Sequence, residues 1–228
     1  MPQAKARQRL HQKLGVLLAA CLLLATSNLS LAQEGIKIVA LGDSLTAGYQ
    51  LAPGEGFPFV LERALKAKGY ANVSIIDAGV SGDTTSGGLS RLDWALQPGT
   101  DAVILELGAN DALRGIDPGI PRDNLDQMLK EIKKRGLSVL LAGMLAPPNM
   151  GGDYGKRFNA IYPDLAAKYG VNLYPFFLDG VAAQSGMTLD DGMHPSAKGV
   201  ETMVARILPL VEKLIAEVKS KKSAEKGQ

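Results

Sequence analysis

The feature that most limits what this chain can become is an alternation between short, unbroken apolar runs and longer segments with helical spacing. Ile36 to Leu41, Val73 to Ala78, Ala102 to Leu107, Leu137 to Met144 and Val171 to Phe176 read as strands. Between them, Phe57 to Lys68 places apolar residues at 57, 60, 61, 64 and 65 and stops at Gly69. Thr84 to Leu96 reads as a second helix ended before Pro98, Pro121 to Arg135 as a third ended at Gly136, and Tyr154 to Tyr169 as a fourth. An amphipathic helix from about Ser196 to Val218 closes the pattern. Strands that are apolar at consecutive positions are buried on both faces, and strands that alternate with helices are joined by crossovers. The expected class is therefore α/β, with a doubly wound, five-stranded parallel sheet at the centre of a three-layer sandwich.

The first 32 residues stand outside that pattern. Lys5, Arg7, Arg9 and Lys13 carry positive charge without an acid among them, a twelve-residue apolar run follows from Leu14 to Ala25, and Ser30-Leu31-Ala32 supplies small residues. This is the layout of a secretory signal peptide, with an apolar stretch too short to span a bilayer comfortably. The expected organisation is a leader over 1–32, one domain over 33–218 and a flexible basic tail over 219–228. The chain has 25 basic and 23 acidic residues, and removing the leader leaves 21 basic ones, so the remaining protein is near neutral. That balance argues for neither nucleic acid nor membrane as a partner. Cys21, the single cysteine, lies in the apolar run, so a chain cut after Ala32 needs no disulfides. Leu18-Ala19-Ala20-Cys21 also resembles a lipoprotein processing site, which leaves a lipid anchor open as a second reading.

In a doubly wound sheet, ligands sit beyond the carboxyl ends of the strands, near the point where strand order reverses. Each of the first three strands runs into small polar residues there: Gly42-Asp43-Ser44, Gly79-Val80-Ser81-Gly82-Asp83 and Gly108-Ala109-Asn110-Asp111. With the common order 2-1-3-4-5, as in flavodoxin-like folds, these strands are neighbours and the three loops converge. Glycine and serine in such loops can cradle a phosphate on helix N-terminal amides, or the serine can be a nucleophile. The second reading needs a histidine and a group to orient it. Of two histidines in the chain, His11 belongs to the leader, so His194 is the one candidate base. Pro195 disfavours helix at His194, and Asp191 lies three residues earlier, within reach of one imidazole nitrogen.

Gly42-Asp43-Ser44-Leu45, Ser81-Gly82-Asp83-Thr84, Gly108-Ala109-Asn110-Asp111 and Asp191-Gly192-Met193-His194 resemble, in order and approximate spacing, the four sequence blocks of the SGNH (GDSL) hydrolases. The likeness covers essentially all of the chain after the leader, and in particular resembles bacterial periplasmic enzymes that act as acyl-CoA thioesterase, lysophospholipase and arylesterase. Ala109 departs from the family pattern, where a second glycine is frequent. The resemblance implies a cofactor-free and metal-free serine esterase in which Ser44 attacks an acyl ester or thioester, His194 takes the proton and Asp191 stabilises the imidazolium. It implies an oxyanion hole made of the backbone amides of Ser44 and Gly82 and the side-chain amide of Asn110. Asp43, Asp83 and Asp111 are read as loop-ordering residues. The loop Ala146 to Gly152 is expected to border the acyl site, with Pro147, Pro148, Asn149 and Met150 as substrate-binding residues. The expected partner is a small acyl ester or lysophospholipid, without nucleic acid and without stable membrane insertion after leader removal, met by a monomer in the periplasm or outside the cell. A carbohydrate or peptidoglycan O-deacetylase with the same catalytic residues, and a non-enzymatic ligand-binding module, remain as alternatives.

Overall fold

A computed structural model describes residues 35–227, and the leader expected over 1–32 lies outside them. Five parallel strands form one sheet in the order β2-β1-β3-β4-β5. They are β1 (Ile36–Gly42), β2 (Val73–Gly79), β3 (Ala102–Glu106), β4 (Ser138–Ala142) and β5 (Asn172–Tyr174). Ile38 sits between Ile75 on one side and Ala102 on the other, and Leu141 pairs with Leu105 and Leu173. β3 and β4 are buried at every position, including Glu106 at the end of β3 and Ser138 at the start of β4, around otherwise apolar cores.

Helices follow the strands on both faces. The short helix α1 (Ser44–Ala47) leads to α2 (Phe57–Ala67), β2 leads to α3 (Thr85–Ser90) and α4 (Leu92–Ala95), and β3 leads to α5 (Ala109–Leu113) and α6 (Gly119–Lys134). After β4 come a 3₁₀ turn (Pro148–Met150), α7 (Gly152–Asn159) and α8 (Ile161–Tyr169), and after β5 comes α9 (Ala197–Lys226). Helices α2 and α9 pack on each other on one side, while α3, α6 and α8 associate on the other. On α6 the buried residues Leu125, Met128, Leu129 and Ile132 keep the spacing of a single helical face. On α9 that face runs from Val200 to Val218.

Three segments differ from the sequence expectation. The helix expected over 84–96 breaks at Arg91, whose φ of −107° and ψ of 9° end α3 and start α4. The helix expected over 154–169 breaks at Ala160, since Pro163 has no N–H to donate back to the Asn159 carbonyl. The segment expected to be a flexible basic tail is helical through Lys226. Lysine, alanine and glutamate favour helix there, and the lysines find partners on the sheet's lower end. Lys221 Nζ donates to the Gly136 carbonyl at 3.0 Å, and Lys222 Nζ lies 2.7 Å from Asp101.

Candidate active site

At the upper end of β1 the chain turns sharply, because Asp43 caps α1: its Oδ1 accepts from the Leu45 N–H at 3.0 Å. Ser44 is thereby the first helical residue, with its hydroxyl turned toward the loop that precedes α9. That loop is a tight hairpin in which Thr188 pairs with Pro195 and the Leu189 N–H donates to the His194 carbonyl. Asp191 Oδ1 accepts from the backbone N–H groups of Met193 and His194 at 2.9 and 3.0 Å, and Gly192 supplies the positive φ of the turn.

The side chains form a continuous relay. Ser44 Oγ lies 2.9 Å from His194 Nε2, and His194 Nδ1 lies 2.6 Å from Asp191 Oδ2. A carboxylate at Nδ1 fixes the ring proton on that nitrogen and leaves Nε2 as an acceptor toward the serine hydroxyl. The hydrogen bond from His194, aided by two backbone N–H groups, holds the Asp191 carboxyl down at about 2. Tyr49 packs on the imidazole with ring centroids 4.5 Å apart and restricts its rotation.

Asn110 stands on the other side of the serine. Its Nδ2 donates to the Asp83 carbonyl at 2.9 Å and to Asp43 Oδ2 at 3.1 Å, so its amide plane is fixed from two loops at once. Gly82 has φ of +84°, and its carbonyl accepts from Arg114 Nη2 at 2.7 Å. Of the three aspartates expected to order loops by accepting backbone hydrogen bonds, Asp43 and Asp111 do so, while Asp83 is held by an arginine side chain instead. Asp43 caps α1, Asp83 accepts from Arg91 Nε at 2.6 Å, and Asp111 accepts from both the N–H and the hydroxyl of Thr85.

Ser44, Asn110 and His194 open onto one cavity of about 670 Å³. Its walls are mostly apolar, with Leu113, Met144, Pro147, Pro148, Phe176 and Met193 prominent among them. Of the four residues expected on the acyl wall, Pro147 and Pro148 line the cavity, while Asn149 and Met150 are not among its lining residues. The 3₁₀ turn Pro148–Met150 changes the direction of the chain here, so that the residues after Pro148 leave the cavity lining.

Sequence reasoning missed three contributors. The wall from Phe176 to Ala183 carries no motif. Arg91 ties the ends of β1 and β2 to the loop after β2, because besides Asp83 it reaches the carbonyls of Ala78 at 2.8 Å and Gly42 at 2.9 Å. Glu106 lies buried beneath the serine turn, and its one visible signal was an acid inside the apolar run Ala102 to Leu107.

Comparison with known proteins agrees with this geometry. Residues 40–201 match the model of the GDSL-like lipase/acylhydrolase family. An arylesterase of Vibrio mimicus is 43% identical over 180 residues, which cover 78% of this chain and 88% of that protein. The thioesterase 1/protease 1/lysophospholipase L1 of Escherichia coli K12 is 36% identical over 179 residues, covering 76% of this chain and 84% of that protein. The crystal structure of AlinE4, an SGNH-hydrolase family esterase, superimposes with a TM-score of 0.67 at 48% identity, covering 79% of this chain and 96% of that one.

Proposed function

We propose, on the premise that this chain belongs to the GDSL-like lipase/acylhydrolase family, that it hydrolyses acyl esters through an acyl-enzyme formed on Ser44. The chain is an ester-hydrolysing enzyme, and the relay described above supports the following roles for its residues. Ser44 Oγ attacks the acyl carbonyl carbon while its proton passes to His194 Nε2, and Asp191 stabilises the imidazolium so formed. Negative charge collects on the former carbonyl oxygen, which the N–H groups of Ser44 and Gly82 receive together with Asn110 Nδ2, one of whose two hydrogens is handed over from Asp43 or the Asp83 carbonyl to the oxyanion. The departing alcohol or thiol takes the proton from His194. Water, deprotonated by the same imidazole, then attacks the acyl-serine, and the imidazolium returns that proton to Ser44 Oγ as the carboxylic acid is released.

The observation that carries this reading is the unbroken chain Ser44–His194–Asp191 at the mouth of an apolar cavity. A phosphate-cradling module needs no such relay, and an acetyl group would fill only a small part of 670 Å³, so the cavity favours longer acyl chains over a deacetylase. Lysophospholipids and other single-chain esters are the substrates of that shape, bound by a monomer. Export follows from the leader pattern over 1–32, which a mature protein beginning at Gln33 would bear out and a diacylglyceryl mass on Cys21 would redirect to a lipid anchor. Among the described residues no helix is long and apolar enough to cross a membrane.

Hydrolysis of p-nitrophenyl acetate, hexanoate and decanoate by the parent and by Ser44→Ala tests the proposal. The parent should favour the longer chains, each methylene in apolar contact adding up to about 1 kcal/mol. Turnover should fall on the order of 10⁴-fold or more in Ser44→Ala. Turnover of acetate alone would favour the deacetylase, and a folded Ser44→Ala with parental rates would remove the serine mechanism.

A further inference from the structure

Beneath the serine turn lies a carboxyl group that the mechanism above does not use. Glu106 ends β3 with 1% of its surface exposed, and among the described residues no cation pairs with it. Its Oε2 accepts from the Thr46 hydroxyl at 2.8 Å and from the Asp43 N–H at 3.3 Å, while Oε1 is buried without a hydrogen-bond partner. A carboxylate buried away from any cation is costlier than its protonated form. Burial and the neighbouring Asp43 both push this carboxyl well above the usual range.

The peptide that Glu106 touches is held from both ends. The Gly42 carbonyl accepts from the Val80 N–H at 3.0 Å and from Arg91 Nη2 at 2.9 Å, and the N–H of the same peptide, on Asp43, points to Glu106. The fit leaves no room for a side chain. A Cβ on Gly42 would stand 2.0 Å from Thr46 Oγ1 and 2.5 Å from Glu106 Oε2. Asp43 then passes its placement on in two directions, through the main chain to the Ser44 N–H and through Oδ2 to the Asn110 amide.

We propose that Glu106 is a positioning residue, a buried carboxyl whose Oε2, by accepting from the Asp43 N–H and the Thr46 hydroxyl, sets both the Ser44 amide and Asn110 as oxyanion donors. The proposal rests on the oxyanion roles given to those two groups above. It explains why a strand end that is otherwise apolar retains a carboxyl with an unpartnered oxygen, a local mismatch of the kind that marks functional positions.

Two substitutions separate this role from simple packing. Glu106→Gln keeps a neutral acceptor of the same shape, and kcat should stay within about threefold of the parent. Glu106→Met keeps the length but loses the acceptor, and kcat should fall about 10- to 100-fold with KM within about twofold, as expected for misplaced donors that act only in the transition state. Both are assayed on p-nitrophenyl hexanoate after folding is checked by near-UV circular dichroism. A folded Glu106→Met with parental kcat overturns the proposal, and so does a loss confined to KM. If Glu106→Met does not fold, Glu106→Gln decides alone: parental kcat supports the acceptor role, and a folded variant that has lost tenfold or more contradicts it. Ser44→Ala run alongside keeps the two readings apart. Activity in Ser44→Ala would sink the serine mechanism itself, whereas an inactive Ser44→Ala beside an unaffected Glu106→Met would sink only the positioning role.

Discussion

Asp43 and Asp191 are both carboxyls of the site, and their surroundings drive them in opposite directions. Burial lifts Asp43 to about 6 against an ordinary 3.8, opposed by hydrogen bonds from Leu45 and Asn110, whereas the bond from His194 holds Asp191 at about 2. For Asp191 the folded form is the better acid, so its contribution to stability is complete above about 3.8 and is lost as pH falls from there to about 2. For Asp43 the sign is reversed: the folded chain takes up the proton first, so this group favours folding below about 3.8, and that contribution is lost as pH rises through about 6. Activity and stability should therefore separate on the acid side. As pH falls through about 6, Asp43 loses the charge that fixes Asn110, while the fold persists. Asp43→Asn should lower kcat about tenfold at pH 8 with KM little changed, the size of a charge-assisted hydrogen bond exchanged for a neutral one. It should also have a shallower acid limb than the parent in kcat/KM. Parental kcat and an unaltered pH profile in Asp43→Asn would show that this carboxylate does not govern Asn110.

Elements, rather than residues, decided how far the sequence could be read. Strands β3 and β4 were legible because a run such as Ala102 to Glu106 admits only burial on both faces. The four motifs were legible because glycine, serine, asparagine and histidine at strand ends have few structural uses in common. The break at Arg91 was not, since Leu89, Leu92 and Ala95 keep helical spacing across it and the cause is tertiary, in three acceptors that draw the guanidinium down into the site. The wall from Phe176 to Ala183 was equally hidden, because a loop acquires its meaning only when the sheet brings it opposite Ser44. Helix α9 carries a different local conflict in Pro209, which denies the Ala205 carbonyl its helical partner. Both residues face solvent, so water can replace the lost donor and the helix continues. Pro209→Ala should restore the bond and add roughly 1–3 kcal/mol of stability, a rise of several degrees in Tm by calorimetry, with kcat unchanged. An unchanged or lower Tm would mean that the stiffness proline gives the unfolded chain outweighs the bond.

Across the whole molecule the site is a product of topology. The order β2-β1-β3 brings the serine turn, the Asp83 loop and the Asn110 helix side by side, and the hairpin between β5 and α9 delivers His194. Glycines make the approach close enough, since a Cβ on Gly79 would stand 2.5 Å from the backbone nitrogen of Ala47 and force the nucleophile turn off the end of β2. The exposed edge of the sheet is closed against strand addition at β2, where the outward N–H groups of Ile75 and Gly79 donate to Glu62 and Asp77. The cavity floor is shared by loops after β3, β4 and β5, so chain-length preference belongs to the assembly and chemistry to the relay at its mouth. That relay is the central claim, and covalent labelling tests it most directly. The protein is incubated with an alkyl fluorophosphonate, and its intact mass, its modified peptide and its residual esterase activity are followed together. The account predicts a single addition on Ser44 that proceeds in step with loss of activity, slows on the order of 10³-fold or more in His194→Ala, and does not occur in Ser44→Ala. Full inactivation with the added mass on any other residue, or undiminished activity in protein fully labelled at Ser44, would contradict it.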